Sequence, residues 1–414
     1  MATQATQQPA TPKRNSVAVS EGRPSEGGPD IVVVMIESLR ADALGDRGGR
    51  PSATPNLDAL ARRSVVFPAF TSNGFPSAPS VLAFHCSAWP HRRKEIITDF
   101  SDRRFDSLPS RLRDFGYDTT YIGADPHFDH QDHWLPAWYA TVIDLVANGE
   151  APTDRNILER GIGEIRRHDA AASGTPLFEF ISTYSTHYPF RLPADAKEPE
   201  APASAGLAAR YRQVLRYADA QVGDLLTMVG ERSRSHGTVT IVVGDHAFYT
   251  NLRKTSGLPE NDNEWTVLMI DSVGPRLPAA RIAAPASHVD VLPTILAMVG
   301  DDRPTAAVGT DLFGAPRSAP RSVLAVRPGG LRFDRGGYSV FVDARTPNGE
   351  EIRPGLHAAD SAPVAPDSAS RSPDTALPTA AQLAAWVNTW SYLVEHDRIW
   401  NPAFLRKSLR AAGQ

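Results

Sequence analysis

The sequence predicts an α/β protein in which helices cover both faces of a mostly parallel sheet. Runs of β-branched residues, such as Asp30–Ile36 and residues 238–243, indicate strands that are buried on both faces. Between such runs lie longer segments, such as residues 207–229, whose apolar residues share one helical face. This alternation is typical of parallel sheets with helical connections. We expect a small C-terminal subdomain, from residue 316 onward, to pack beside the sheet.

Residues that begin or end helices help to place the individual elements. Thr54 followed by Pro55 is typical of a helix N-cap and its first position. Gly116 and Gly300 each follow a helical pattern and are expected to end it. The remaining predicted elements are a helix at 107–115, strands at 119–122, 177–182, 238–243 and 267–270, and helices at 207–229 and 291–299.

The termini differ in composition from the middle of the chain. The N-terminal segment is polar, and the segment before the last helix is rich in Ala, Pro, Ser and Asp. A capping box from Thr379 to Gln382 begins that last helix, which is expected to dock on the core. We predict a disordered tail over 1–29, a catalytic unit over 30–315, further strands of that unit over 316–354, a flexible linker over 355–378 and a helical segment over 379–414.

Composition limits the class of partner. The formal net charge of -4 argues against general binding of nucleic acids. The single cysteine, Cys86, excludes an intrachain disulfide and fits a reducing compartment. No apolar stretch reaches the roughly 20 residues of a membrane span, and the N-terminal segment lacks the apolar core of a signal peptide. We therefore predict a cytoplasmic protein without a membrane span; the sequence gives no indication of oligomeric state.

Three segments that are far apart in the sequence carry the candidate chemistry. Glu37 directly follows the first predicted strand, and Asp245 and His246 follow a later one after a single glycine. Because the carboxyl ends of parallel strands meet at one edge of a sheet, these side chains are expected to lie together. Ser77 lies in a turn rich in Gly and Pro and is the candidate nucleophile. A divalent cation held against a serine hydroxyl is suited to attack on phosphorus or sulfur.

Five short motifs follow one another in a fixed order along the chain. They are Thr54-Pro55-Asn56-Leu57-Asp58, Ser77-Ala78-Pro79-Ser80, Thr186-His187-Tyr188-Pro189-Phe190, Gly244-Asp245-His246 and His288-Val289-Asp290-Val291-Leu292-Pro293-Thr294. In this order they resemble the motifs of the alkaline phosphatase superfamily, on the sulfatase-like branch that includes sulfatases, lipoteichoic acid synthases and phosphoethanolamine transferases. The resemblance covers residues 30–315 and implies an alkaline-phosphatase-like fold.

The resemblance also implies roles for individual residues. Glu37, Asp245 and His246 would bind one divalent metal ion, and Ser77 would sit on that ion as the nucleophile. His187 would stabilise the leaving group or the transferred oxygens. Oxygen ligands with one imidazole suit Mn, Mg, Ca or Zn. Taken singly, each residue has an ordinary alternative role in a cap, a turn or a packing contact.

A small anionic ester is the expected substrate, and several residues are candidates to contact it. Arg40, Arg253 and Lys254 could bind the anion or could be solvated charges. His127 and His130 belong to a segment, with His133, that is rich in His and Asp. This segment is interpreted as a loop near the substrate; the alternatives are a second metal site and an ordinary polar loop.

Two departures from the sulfatase pattern bear on the reaction. Val81 stands where the sulfatases that convert Cys or Ser to formylglycine have arginine, and Glu37-Ser38 stands where they have paired aspartates. Both favour an unmodified Ser77 and phosphorus chemistry. The sequence therefore predicts a metal-dependent hydrolase or transferase that cleaves a phosphate, phosphonate or sulfate ester. The alternatives are a true sulfuric ester hydrolase and a non-catalytic relative, the latter because Ala247 replaces the usual glycine.

Overall fold

A large sheet dominates the structure, which is a computed structural model. The residues that it describes are 28–45, 51–103, 105–247, 264–273, 277–314, 321–327, 330–335, 338–343, 350–354 and 377–399. Within these residues the sheet has nine strands in the order β4-β3-β5-β1-β6-β7-β2-β8, and β9 also pairs with β2. The strands are β1 (Asp30–Ile36), β2 (Val65–Thr71), β3 (Asp118–Gly123), β4 (Thr141–Asp144), β5 (Leu177–Ser182), β6 (Thr238–Gly244), β7 (Trp265–Val273), β8 (Ala280–Arg281) and β9 (Ala286–Ser287).

The pairing of these strands confirms a mostly parallel sheet. The five strands from β4 to β6 in the sheet order are parallel to one another. Strand β7 is antiparallel to both β6 and β2. The carboxyl ends of β1, β5 and β6 therefore lie side by side at one edge, where a ligand site is expected in a sheet of this kind.

Helices pack on both faces of the sheet, as predicted. The helices are α1 (Pro55–Ala61), α2 (Ser77–Cys86), α3 (Ile96–Asp99), α4 (Leu108–Asp114), α5 (Leu135–Trp138), α6 (Asp154–Ala171), α7 (Gly206–Glu231), α8 (Val291–Val299) and α9 (Ala380–Glu395). Alternate residues of β1 enter two separate cores: one includes side chains of α2, α4, α5 and α8, and the other includes side chains of α1, α6 and α7. The fold class predicted from the sequence is confirmed.

Several predicted helix ends match the structure. Gly300 ends α8 with a left-handed φ of 79°, and Gly116 follows α4 with a φ of 98°. Thr379 and Gln382 form the expected capping box at the start of α9. Thr54 precedes α1 as predicted, but its side chain donates a hydrogen bond to Asp58 Oδ1 at 3.1 Å instead of capping the helix.

A second, antiparallel sheet follows the main one. It consists of β10 (Ser322–Arg327), β11 (Gly330–Arg335), β12 (Tyr338–Asp343) and β13 (Glu350–Pro354), and its apolar core includes side chains of α9. The predicted tail over 1–29 and linker over 355–378 fall almost wholly outside the described residues and stay predictions, as do the other domain limits. Among the helices that the structure describes, none combines the length and apolar character needed to cross a membrane.

Candidate metal and catalytic site

The candidate site lies at the carboxyl edge of the main sheet. Strands β1 and β6 pair in register up to Ile36 and Gly244, so Glu37 and Asp245 leave the sheet side by side. On the other side of β1, Thr183 follows β5, and its Oγ1 accepts a hydrogen bond from the backbone N–H of Glu37 at 3.1 Å. Three neighbouring strand ends thus meet at one place.

Four polar side chains converge at this edge. A carboxylate oxygen of Glu37, one of Asp245 and a ring nitrogen of His246 all lie within 4.8 Å of one another. The Ser77 hydroxyl donates a hydrogen bond to Glu37 Oε2 at 3.1 Å and lies 3.3 Å from His246 Nε2. Glu37, Asp245 and His246 are all largely or fully buried.

The backbone just after β1 turns sharply and fixes both carboxylates. Ser38 has a left-handed φ of 52°, which is unusual for a residue with a side chain. Its N–H donates to Asp245 Oδ1 at 2.7 Å, and its hydroxyl donates to Glu37 Oε1 at 2.6 Å. The Thr186 hydroxyl donates to the carbonyl of Glu37 at 2.5 Å. Ser38 therefore links the two carboxylates directly.

The end of β6 is packed too closely for any residue but glycine. A Cβ on Gly244 would lie 2.1 Å from Thr266 Oγ1 and 2.8 Å from atoms of Leu39. The Gly244 carbonyl is 2.8 Å from Nε2 of the fully buried His288. This close packing sets the direction in which Asp245 leaves the strand.

His246 is oriented by its own backbone and by an aromatic ring. Its Nδ1 lies 2.9 Å from the carbonyl oxygen of Ala247, so we assign the proton to Nδ1. Nε2 then presents its lone pair toward Glu37 and Ser77. The Phe75 ring packs against the imidazole with the ring centroids 4.7 Å apart. A backbone carbonyl that fixes the tautomer in this way is the usual support of a metal-binding histidine.

Ser77 is the first residue of α2 and not part of the turn itself. At this position it lies beside the unpaired backbone N–H groups and the positive dipole end of the helix. The approach to the helix is tight, because a Cβ on Gly74 would lie 2.5 Å from Pro79 and 2.7 Å from Pro90. The glycine in the predicted turn is thus required by packing.

Burial and charge shift the pKa values of the acidic and basic groups. Burial and the neighbouring Glu37 charge raise the pKa of Asp245 well above its usual range. Burial also acts to raise the pKa of Glu37, but attraction to His246 and the hydrogen bond from Ser38 outweigh it, and that pKa is lowered. Burial lowers the pKa of His246, which favours the neutral imidazole.

This set of donors fits a divalent cation. Two carboxylates and one neutral imidazole supply hard oxygen and nitrogen ligands, and the site carries excess negative charge in a buried place. Because a cation would stabilise both carboxylates in their ionised forms, it would reverse the upward shift of the Asp245 pKa.

His187 lies near the same site, in the loop after β5. Its Nδ1 lies 2.7 Å from the carbonyl oxygen of Tyr188, and the Tyr184 ring stacks on the imidazole at 5.8 Å. The Phe128 ring meets its edge at 6.2 Å. The charge of His187 is among those that lower the pKa of Glu37, which indicates that the two groups are close.

The other predicted substrate-binding residues have different surroundings. Arg40 is buried, and its Nε pairs with Asp42 Oδ1 at 2.8 Å. His127 is exposed and pairs with Asp132 at 2.8 Å, and this hydrogen bond raises its pKa. His130 has a left-handed φ of 58°. Their roles toward a substrate stay predictions. Two predicted residues lie outside the described part of the chain: Arg253 and Lys254.

Some residues that support this site were not predicted from the sequence. Thr183 follows β5 at the same edge, so its position after a buried strand is the same signal that predicts Glu37. Ser38 entered the prediction only as the residue that stands where sulfatases have aspartate. Asp129, in the segment with His127, has its pKa raised by burial and by the Glu37 charge, so this segment lies near the site. Among the described residues, this segment brings no three metal-ligating side chains together.

Comparisons with known proteins agree with the fold and the motifs. The chain is 21% identical to an uncharacterized sulfatase of Escherichia coli over 72% of each chain. It is 21% identical to a lipoteichoic acid synthase-like protein of Bacillus subtilis, over 76% of this chain and 53% of that protein. It is 25% identical to the N-acetylgalactosamine-6-sulfatase of Mus musculus, over 53% of this chain and 50% of that protein. The chain thus spans about half the length of these last two relatives.

Solved structures share the architecture. An alkaline phosphatase superfamily protein from Vibrio parahaemolyticus superposes with a TM-score of 0.72 at 19% identity, covering 92% of this chain and 90% of that one. The lipoteichoic acid synthase LtaP from Listeria monocytogenes superposes with a TM-score of 0.68 at 18% identity, covering 92% and 96%. The phosphonate monoester hydrolase from Silicibacter pomeroyi superposes with a TM-score of 0.57 at 14% identity, covering 91% and 96%.

The family model described as Sulfatase matches residues 29–300, which is more than half of the chain. Its members are hydrolases or transferases of sulfate and phosphate esters and use a divalent metal ion. The resemblance read from the five motifs is confirmed, and the protein belongs to the sulfatase family.

Proposed function

We propose that the protein is a metal-dependent hydrolase or transferase that cleaves a small anionic ester of phosphate, phosphonate or sulfate, with Ser77 as the nucleophile. One observation carries the proposal: the Ser77 hydroxyl lies 3.1 Å from Glu37 Oε2 and 3.3 Å from His246 Nε2, within a buried group of metal-ligating atoms. Few ordinary structural roles require a hydroxyl at the meeting point of two carboxylates and an imidazole.

Glu37, Asp245, His246 and Ser77 would hold the divalent cation, and this set of oxygen and nitrogen donors suits Mn, Mg, Ca or Zn. When bound, it would neutralise the charge of the ester oxygens and make the serine hydroxyl easier to deprotonate. The residues themselves do the positioning. Ser38 holds both carboxylates, and the Ala247 carbonyl leaves Nε2 of His246 free to act as a ligand.

Ser77 would attack the phosphorus or sulfur atom. Its hydroxyl already donates a hydrogen bond to Glu37 Oε2, which would accept the proton as Ser77 attacks. The new bond joins Ser77 Oγ to the central atom, and the bond from that atom to the leaving alcohol oxygen breaks. The free N–H groups in the first turn of α2 suit the negative ester oxygens.

His187 would protonate the leaving oxygen. Because Nδ1 donates to the Tyr188 carbonyl, a neutral His187 carries a lone pair on Nε2 and has no proton there to give. The imidazolium form has that proton and can donate it as a general acid. The neutral form left behind can then remove a proton from water, or from an acceptor alcohol, as that oxygen attacks the seryl ester. The bond from the central atom to Ser77 Oγ breaks, and Glu37 returns its proton to the Ser77 hydroxyl.

Phosphorus chemistry is the favoured version of this reaction. Position 81, where formylglycine-forming sulfatases require arginine, holds valine in this chain. The Val81 side chain is 3% exposed and belongs to the apolar core. The likeness to a phosphonate monoester hydrolase and to lipoteichoic acid synthases supports the same choice. A true sulfuric ester hydrolase is the alternative, supported by the likeness to N-acetylgalactosamine-6-sulfatase. A cytoplasmic location and a small-molecule substrate are part of the same proposal.

The test combines a substrate screen with two variants. Phosphate monoesters, phosphodiesters, phosphonate esters and aryl sulfates are offered to protein loaded with each of the four metals. Ser77→Ala is expected to lower turnover of the best substrate by at least roughly a thousandfold while the protein keeps its metal. Asp245→Ala is expected to lose the metal as well.

The exposed Ser173→Ala variant is the matched control and should behave as the wild type. Mass spectrometry of the peptide with residue 77 should show unmodified serine. Continued turnover by Ser77→Ala would point to attack by water and refute the proposed nucleophile. An unchanged metal content in Asp245→Ala would refute the metal site, and binding without turnover of any substrate would favour a non-catalytic relative.

A further inference from the structure

A half-open cavity of about 230 Å³ is lined in part by residues of α2. Its apolar wall includes Ala78, Pro79 and Leu82, which follow one face of α2, together with Ile96 and Ile97. Ser77 does not line it. A cavity of this size with a largely apolar wall and a few polar groups has the character of a small-molecule site.

A second part of the cavity wall is cationic. Three consecutive basic residues, Arg92, Arg93 and Lys94, line it, and the acidic lining residue is Glu95. The Arg92 side chain bonds to the neutral amide of Asn388. Arg93 is exposed and forms no ion pair with any other residue that the structure describes. Lys94 Nζ pairs with Glu395 Oε1 at 3.2 Å, so the positive charge that the described residues leave without a carboxylate partner is that of Arg92 and Arg93.

This cationic wall is held in place and is not a loose surface loop. His91 is 7% exposed, and its Nδ1 accepts hydrogen bonds from the backbone N–H groups of Arg93 at 3.1 Å and Lys94 at 3.0 Å. The proton of His91 therefore lies on Nε2, which is 3.3 Å from Glu395 Oε1. The N–H of Arg92 donates to the Ser391 hydroxyl at 3.1 Å. Residues of α9 thus hold the segment that forms the cationic wall in place.

We propose that this cavity binds a small organic anion with an apolar body, at a site separate from the one that holds the ester. The apolar wall of α2 would pack on the body of the ligand, and Arg93 would bind its negative group. Phe75 forms the boundary between the two sites: it lines the cavity, and its ring packs on His246. The occupant would therefore lie next to the catalytic centre without entering it.

Calorimetry with hexanoate as the probe tests this proposal directly. The metal-loaded protein is first saturated with inorganic phosphate, so that anion binding at the metal site is blocked. Hexanoate should still bind, and hexanamide, which has the same shape without the charge, should bind roughly tenfold more weakly. Hexylammonium should not bind.

Variants of one exposed residue complete the experiment. Arg93→Ala should weaken hexanoate binding roughly tenfold, to the level of hexanamide, whereas Arg93→Lys should retain most of it. The exposed Arg62→Ala variant removes the same charge elsewhere and should change nothing. The proposal is overturned if phosphate displaces hexanoate, if hexanoate and hexanamide bind equally, or if Arg93→Ala has no effect. None of these readouts depends on turnover, so the proposed reaction at Ser77 stands or fails separately.

Discussion

Asp154 connects the loop that carries His187 to the start of α6. Its carboxylate Oδ1 accepts hydrogen bonds from the backbone N–H groups of Tyr184 at 2.7 Å and Ser185 at 2.9 Å. In return, the N–H of Asp154 donates to the Ser185 hydroxyl at 3.0 Å. Because Asp154 is fully buried, these bonds are shielded from water. Asp154 is thus a positioning residue for His187.

Replacing Asp154 should damage turnover and spare the metal. In Asp154→Ala the loop loses its acceptor, and we expect kcat to fall roughly tenfold to a hundredfold through misplacement of His187. Asp154→Asn keeps an oxygen acceptor and should be closer to the wild type. The measurements are kcat, KM and metal content, with the exposed Asp224→Ala as control. A loss of metal in Asp154→Ala, or equal damage in Asp154→Asn, would contradict a purely positional role.

At the scale of elements, the strands of the parallel sheet were the part most open to prediction. Strand β1 is buried on both faces, and such a strand is apolar along its whole length. Strand β2 was not predicted, because Pro68 interrupts its pattern at a place where the pairing with β7 shifts register. Glu37 and Asp245 were predictable because both follow buried strands. Ser38 and Asp154 form hydrogen bonds with residues that are distant in sequence, and no local sequence pattern predicts such bonds.

Helix α6 was also missed, because glycine usually disfavours a helix. Gly161 lies inside α6, and a Cβ there would come within 2.5 Å of Ile181 and 3.0 Å of Glu179 Oε1. The glycine therefore lets the helix approach β5 closely. Tertiary packing outweighs the cost of glycine in the helix, which is about 1 kcal/mol.

That close approach buries Glu179 of β5 completely, and it makes stability depend on pH. Neither carboxylate oxygen has a hydrogen-bond partner among the residues that the structure describes, and burial raises the pKa of Glu179 well above its ordinary 4.5. Between these two pKa values the folded protein holds a proton that the unfolded chain has lost. The contribution of Glu179 is therefore fully present below about pH 4.5 and falls by up to about 1.4 kcal/mol per pH unit above it, until the folded pKa is reached.

Glu179→Gln removes this titration while keeping the shape of the side chain. The difference in unfolding free energy between the variant and the wild type should be constant at low pH and should shift in favour of the variant as the pH rises above 4.5. Urea unfolding at several pH values measures it. Glu159→Gln, at an exposed position of α6, is the control. Parallel curves for Glu179→Gln and wild type would mean that Glu179 is ionised in the folded protein.

At the scale of the whole molecule, the C-terminal part contacts the segments that flank α2 on both sides. Before α2, the Asn73 amide donates to the Leu324 carbonyl at 2.9 Å, and the N–H of Val326 donates to the Asn73 carbonyl at 2.9 Å. After α2, the Trp390 indole N–H of α9 donates to the Trp89 carbonyl at 2.8 Å. The second sheet and α9 therefore support the segment that carries Ser77.

This arrangement predicts that α9 unfolds together with the main domain. Trp390 is 6% exposed and packs edge-on against Trp89, with the ring centroids 5.6 Å apart. Trp390→Ala should lower the free energy of unfolding by about 3–5 kcal/mol, the usual cost of removing a large buried aromatic side chain. Trp386→Ala, on the same helix but 43% exposed, should cost far less. Urea unfolding followed by circular dichroism and by turnover should give one coincident transition in the wild type, shifted to lower urea in Trp390→Ala. If α9 instead melted in a separate early transition that left turnover intact, it would be an independent segment, and the support that it gives to α2 would be negligible.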